Sequence, residues 1–134
     1  MLIAEIESSK FSYFIANHGA RESPDVIDDE ALIEMQARII EIEPTQPDHI
    51  GKPIACTLLI SRRFLGTASG NKVDKPLLYS VTLRKNQRSM LAYLPSDTFW
   101  ACQPQIISGT LRRIEIRYAK PTRGTGELES LHVS

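Results

Sequence analysis

The sequence predicts a mainly β protein, an antiparallel β-sandwich or small barrel of about seven to nine short strands. Three observations carry that reading. Apolar and polar residues alternate in one segment after another, the period-two pattern of strands with one buried face. Proline, glycine, asparagine and aspartate punctuate those segments at short intervals. Repeated helical segments, which a parallel layout with crossover helices needs, are not evident between the strands.

The length of 134 residues suits a single domain spanning residues 1–134. A chain of that size buries roughly two-thirds of its unfolded surface and holds a core without staples. Hydrophobic residues make up 42% and charged residues 24%, and no uncharged apolar run is long enough to span a membrane, so no membrane partner is expected. Glu5 and Glu7 stand where an export signal carries its apolar stretch, which predicts a cytoplasmic location. Cys56 and Cys102 lie far apart in apolar, strand-like runs and read as buried free thiols.

LIAEIE (2–7) and FSYFIA (11–16) read as two short strands separated by Ser8-Ser9-Lys10, with Asn17-His18-Gly19 as a turn. Ser23-Pro24 offers a cap and a first-turn proline, and the aspartates that follow suit the positive end of a helix dipole, so the pattern admits one short helix near residues 24–40. Ala31 to Glu43 alternates from Ile33 through Met35 and Ala37 to Ile39, which favours strand, with a bulge where the phase changes at Ile39-Ile40. Leu32, Met35, Ile39 and Ile42 also keep helical spacing, so helix is the alternative there. Residues 44–53 form a loop, and Ile54, Cys56, Leu58 and Ile60 mark a strand apolar enough to be central. GTASGNKVDK, residues 66–75, reads as a mobile connection.

Leu77 to Leu83 and Ser89 to Leu94 read as a hairpin bounded by Pro76 and Pro95. Asn86-Gln87 lacks the glycine that two-residue turns favour, which leaves a four-residue loop open. In that register Arg84 faces Ser89, Leu83 faces Met90, Val81 faces Ala92 and Tyr79 faces Leu94, with apolar residues stacked on the inner face. Pro95-Ser96-Asp97 is expected to turn into TFWAC, which holds the one tryptophan, and Ile106-Ile107 to form a short apolar piece broken off by Pro104. Leu111 to Tyr118 alternates strongly, residues 120–127 read as a second mobile segment, and the LESLHV stretch as a weak or frayed terminal strand.

Charge is divided unevenly along the chain. Residues 1–50 carry a balance of minus eight and residues 51–134 a balance of plus eight. Such a split is what two halves need when they meet within one fold or across a dimer, and it also suits a polyanion-binding surface. The basic candidates for such a surface are Arg62, Arg63, Arg84, Lys85, Arg88, Arg113 and Arg117, with Trp100 as a stacking platform.

Other constellations carry less chemistry. Gly66 and Gly70 stand too close together for a phosphate-binding loop, and Val73 occupies the place of the magnesium-binding hydroxyl. Gly124-Thr125-Gly126 opens no helix. Ser69 misses the frame of a nucleophile elbow. Asp28, Asp29 and His49 are the only candidates for a metal site, and they require two distant loops to converge.

The expectation is a small, soluble, intracellular binding or assembly module without catalysis or cofactor, self-associating or docking a protein partner. Leu59, Leu78 and Leu91, opposite the inferred core face, are its candidate contacts. The alternatives are a five-stranded OB-like barrel gripping single-stranded nucleic acid, and a metal-dependent enzyme.

Overall fold

Alternation over most of the chain produces strands, and the strands close on themselves. A computed structural model describes residues 1–17, 27–61 and 78–134. Its elements are β1 (Leu2–Asn17), β2 (Ile27–Ile42), β3 (Pro53–Ser61), β4 (Leu78–Arg84), β5 (Gln87–Tyr93), α1 (Ser96–Ile107), β6 (Arg113–Tyr118) and β7 (Thr125–Val133). They form a closed barrel in the order β1-β2-β3-β5-β4-β7-β6. Every neighbouring pair is antiparallel except β3 and β5. The small barrel with one short helix is therefore present. Among the described residues the helix lies at Ser96–Ile107, and residues 27–40, where a helix is expected, are strand. No helix among the described residues is long and apolar enough to cross a membrane.

Inward-pointing residues fill the barrel. β2 contributes Ala31, Ile33, Met35, Ala37 and Ile39, β3 contributes Ile54, Cys56 and Leu58, and Leu2, Val81, Met90, Ile114 and Ile116 complete the middle of the core. The residues between them on β2, Glu34, Gln36 and Arg38, face water. The expected bulge is at Ile40: Ala4 pairs with Ile39 and Ile3 with Glu41, so Ile40 has no opposite residue and Ile42 returns to the core. This change of phase lets β2 remain a strand despite its helical spacing.

Several expectations give way to nonlocal packing. Residues 2–17 form one long strand, because register shifts at Ile3/Ala4 and Ile6/Ser8 absorb the irregularity at Ser8-Ser9 without ending the pairing. The β4–β5 hairpin turns in two residues, Lys85 and Asn86, so Val81 meets Met90 and Thr82 meets Ser89. That register differs by two residues from the expected one, and a shift of two leaves each side chain on its face. Val81, Ala92 and Leu94 are accordingly buried. Tyr79 is not: a bulge between Leu78 and Ser80 turns it outward, 49% exposed and edge-on to Tyr93 at 6.0 Å.

The terminal segment is a full stave of the barrel. β7 pairs with both β6 and β4 and closes the ring. Residues 122–125 leading into it form a tight turn, with Arg123 at φ 53° and Gly124 at φ 87°, closed by reciprocal Thr122–Thr125 backbone bonds of 2.9 and 3.1 Å. The supposed mobile segment is thus split between an ordered turn and a strand.

The helix is the element local reasoning misses. Pro104 reads as a breaker, yet it stands near the end of α1, where one missing N–H costs little of the remaining ladder. Phe99 and Ile106, seven residues apart, share one face and join the core. Past the C-cap at Ser108, Gly109 at φ 77° stops the helix, with its N–H on the Ile106 carbonyl at 3.0 Å.

The expected His18-Gly19 turn, Ser23-Pro24, Arg62, Arg63 and the 66–75 connection lie outside the described residues.

Candidate functional site

Strand directions divide the barrel into two ends. The β4–β5 turn, the 43–52 loop, the 119–124 turn and the start of β1 share one end, called here the mouth. The far ends of β1, β3, β5 and β7 and the helix share the other.

At the helix end β1 outruns its neighbour. β6 pairs only with Leu2 to Glu5, and the last rung is the Ile6 N–H on the Arg112 carbonyl at 2.7 Å. From Ser8 to Asn17, β1 is paired with β2 on one side, and no strand among the described residues takes the other. Where β6 departs, a groove of about 450 Å³ opens between Ile6 and Ser9 of β1 and Ile106, Gly109 and Arg112. The Ser9 hydroxyl donates across it to the Ile106 carbonyl at 3.5 Å.

The ribbon beyond this groove is apolar on both faces. Phe14 is 58% and Ile15 61% exposed, and Trp100 on the adjoining helix is 44% exposed. Trp100 lies edge-on to Phe99 at 5.1 Å and to Phe11 at 5.9 Å, so it joins helix to ribbon while leaving one side in water. Phe14 is the sequence signal that alternation alone passes over: in FSYFIA both faces are apolar, and only one can meet a core.

The mouth holds a pocket of about 570 Å³ walled by Pro44, Leu83, Tyr118 and Pro121, with Glu43 and Lys120 on its lining. Arg84 ends β4 and Lys85 opens the adjacent turn, and the Arg84 side chain lies against Gly124. Beside it, His49 is buried under Arg88, whose Nε donates to His49 Nδ1 at 2.8 Å and whose second nitrogen donates to the Asp48 carbonyl at 3.1 Å. Burial, and then the Arg88 charge, lower the His49 pKa below its ordinary value, against an opposing pull from Asp48. His49 is therefore a neutral ring with Nδ1 accepting, which ties the 43–52 loop to β5.

No family model, no curated protein and no solved structure matches this chain.

The fold separates the cations that the sequence groups together. Arg84, Lys85 and Arg88 are at the mouth, while Trp100 is at the helix end. Arg113 pairs across from Glu5, and Arg117 reaches Glu115 at 3.3 Å in an exposed ion pair. The described candidates therefore line no common groove with Trp100. Asp28 and Asp29 lie at the start of β2, and His49 lies beyond its far end, where Gly51 bonds to Ile39. Ten residues of strand separate Asp29 from Ile39, roughly 30 Å, so the three do not converge. The acidic and basic halves do meet inside one chain, through the β1–β6 ladder and the Arg88 contacts with residues 48 and 49.

The leucines expected to mediate assembly are also redistributed. Leu59 is already buried between Leu32 and Tyr93 of its neighbouring strands, and Leu91 is half-buried. The Leu78 side chain is outside the description. The most exposed large apolar side chains among the described residues, Phe14 and Ile15, lie on the ribbon instead.

Proposed function

We propose that this chain is a non-catalytic assembly module that pairs with a second copy of itself through the edge of β1 that no described strand covers. The observation that carries the reading is that Ser8 to Asn17 leaves one backbone edge without a neighbouring described strand while Phe14 and Ile15 stand in water beside it. An edge of that length offers a row of backbone donors and acceptors, and another strand satisfies them by continuing the sheet. Proteins that remain single usually guard such an edge with charge; Lys10 is the one charged residue in the stretch.

A second copy fits the chemistry. Two identical strands related by a two-fold axis pair antiparallel, and any register that does not set Lys10 against itself brings no like charges together. The same arrangement places the Phe14 and Ile15 of both chains on the shared surface.

Sedimentation equilibrium of the full chain at micromolar to high micromolar concentration tests the proposal. A dimer is expected, and Phe14→Lys with Ile15→Lys should convert it to a monomer that keeps the far-ultraviolet circular dichroism of the parent. A strict monomer at high micromolar concentration, or a dimer indifferent to both lysines, sinks it. The nucleic-acid reading has less support, because Arg84, Lys85 and Arg88 lie at the mouth while Trp100 lies at the helix end, and Arg113 and Arg117 stand opposite Glu5 and beside Glu115.

A further inference from the structure

The mouth lies at the end opposite the proposed interface, so what it binds stands or falls separately. Its pocket falls in the range of small-molecule sites, and open ends of β-barrels are common places for them. Pro44, Leu83 and Pro121 supply apolar walls. Glu43, Gln46 and Lys120 make no side-chain hydrogen bond or ion pair with any described residue. The Tyr118 hydroxyl is buried and has no hydrogen-bond partner among the described residues. A buried hydroxyl left unpaired is costly, and such groups in native proteins usually have a partner. Burial also raises the Tyr118 pKa, so the group stays a neutral donor at physiological pH.

Local charge selects among ligands. Arg84, Lys85, Lys120 and Arg123 belong to the turns around this mouth, and a concentration of cations there draws anions toward it. Glu43 on the same lining repels a second negative charge, which favours a single anionic group over a polyanion.

We propose that the mouth pocket binds a small amphipathic monocarboxylate, its carboxylate held by Lys120 and, once the lining parts to admit it, by the enclosed Tyr118 hydroxyl, and its apolar body against Leu83, Pro44 and Pro121. Octanoate is a suitable probe, with octanol as its uncharged counterpart, and amide chemical shifts on isotopically labelled protein report both affinity and location. Octanoate is expected to bind with a dissociation constant of about 1 mM or below and to shift the amides of residues 83, 118 and 120. Octanol should bind about tenfold more weakly, since a hydrogen bond to a charged group is worth about that factor. Lys120→Met, at an exposed position, should weaken octanoate about tenfold, and Tyr118→Phe should weaken it several-fold without lowering the melting temperature. Equal affinity for octanoate and octanol, an octanoate affinity that either substitution leaves unchanged, or shifts confined to Phe11 and Trp100 overturns the proposal.

Discussion

Replacing Phe99 with alanine tests the claim that the helix is bolted to the barrel and is not an appendage. Phe99 has no exposed surface and joins the central apolar cluster, and its ring supports Trp100 edge-on at 5.1 Å. Truncating a buried phenylalanine costs about 3–5 kcal/mol, from lost transfer free energy and from the cavity left behind. An unfolding entropy of about 2.1 cal/mol/K per residue, taken over the whole chain, amounts to about 0.28 kcal/mol/K. The expected fall in melting temperature is therefore about 10–18 °C. Thermal melts followed by circular dichroism measure it, with tryptophan fluorescence as a second reading because Trp100 loses a neighbour. Trp100→Ala is the contrast. Trp100 keeps 44% of its surface in water, so its loss should cost only about 1–2 kcal/mol. A fall below about 3 °C for Phe99→Ala, or a larger effect at Trp100 than at Phe99, refutes the argument.

Three further outcomes follow from single contacts. Gly126→Ala drives a Cβ into the Ala119 carbonyl oxygen, whereas the Cβ of Gly109→Ala meets no neighbouring atom and costs only its φ of 77°. Gly126→Ala should lose about 1–3 kcal/mol or more by overpacking and Gly109→Ala about 1 kcal/mol; equal losses in urea titrations contradict the assignment. His49 holds a depressed pKa, so on acidification the unfolded chain takes up a proton, near pH 6.5, before the folded chain does. The stability due to neutral, buried His49 is thus present above about pH 6.5 and declines below it. His49→Gln should flatten the loss of stability between about pH 7 and pH 5, and an unchanged slope excludes His49 as its source. Burial pushes the Cys56 thiol up to about 12, while Cys102 is only half-buried. A thiol reagent at mildly alkaline pH should label Cys102 in the folded protein and Cys56 only after unfolding; prompt labelling of both contradicts the placement of Cys56.

Much of the barrel is legible without coordinates because a strand's inner and outer faces depend on alternation, a local property. Ile33 to Ile39, Ile54 to Leu58, and Ile114 with Ile116 each point inward as their spacing indicates, and Ile40 bulges where the phase breaks. The hairpin tolerates a register error of two residues for the same reason. Tyr79 escapes the rule because a bulge is set by the mismatch between paired strands and not by either strand alone. The helix is hidden because Pro104 argues against it locally, while the burial of Phe99 and Ile106 that stabilises it comes from the barrel.

Neither candidate site is visible in the same way. FSYFIA displays an excess of apolar residues, but the sequence does not say that β6 ends its pairing at Glu5 and that no other described strand continues along that edge. Glu43 is far in sequence from Tyr118 and Lys120, and only the pairing of the strands around the ring brings the three to one opening. Composition and alternation by themselves determined that this chain folds as β-sheet and which side chains leave water, since transfer of apolar surface and backbone sterics act residue by residue. The neighbour of each strand, the parallel β3–β5 contact, the closing stave β7, the length by which β1 outruns β6 and the mouth were decided by tertiary structure, because pairing across long sequence separations depends on which strands compete for the same edge.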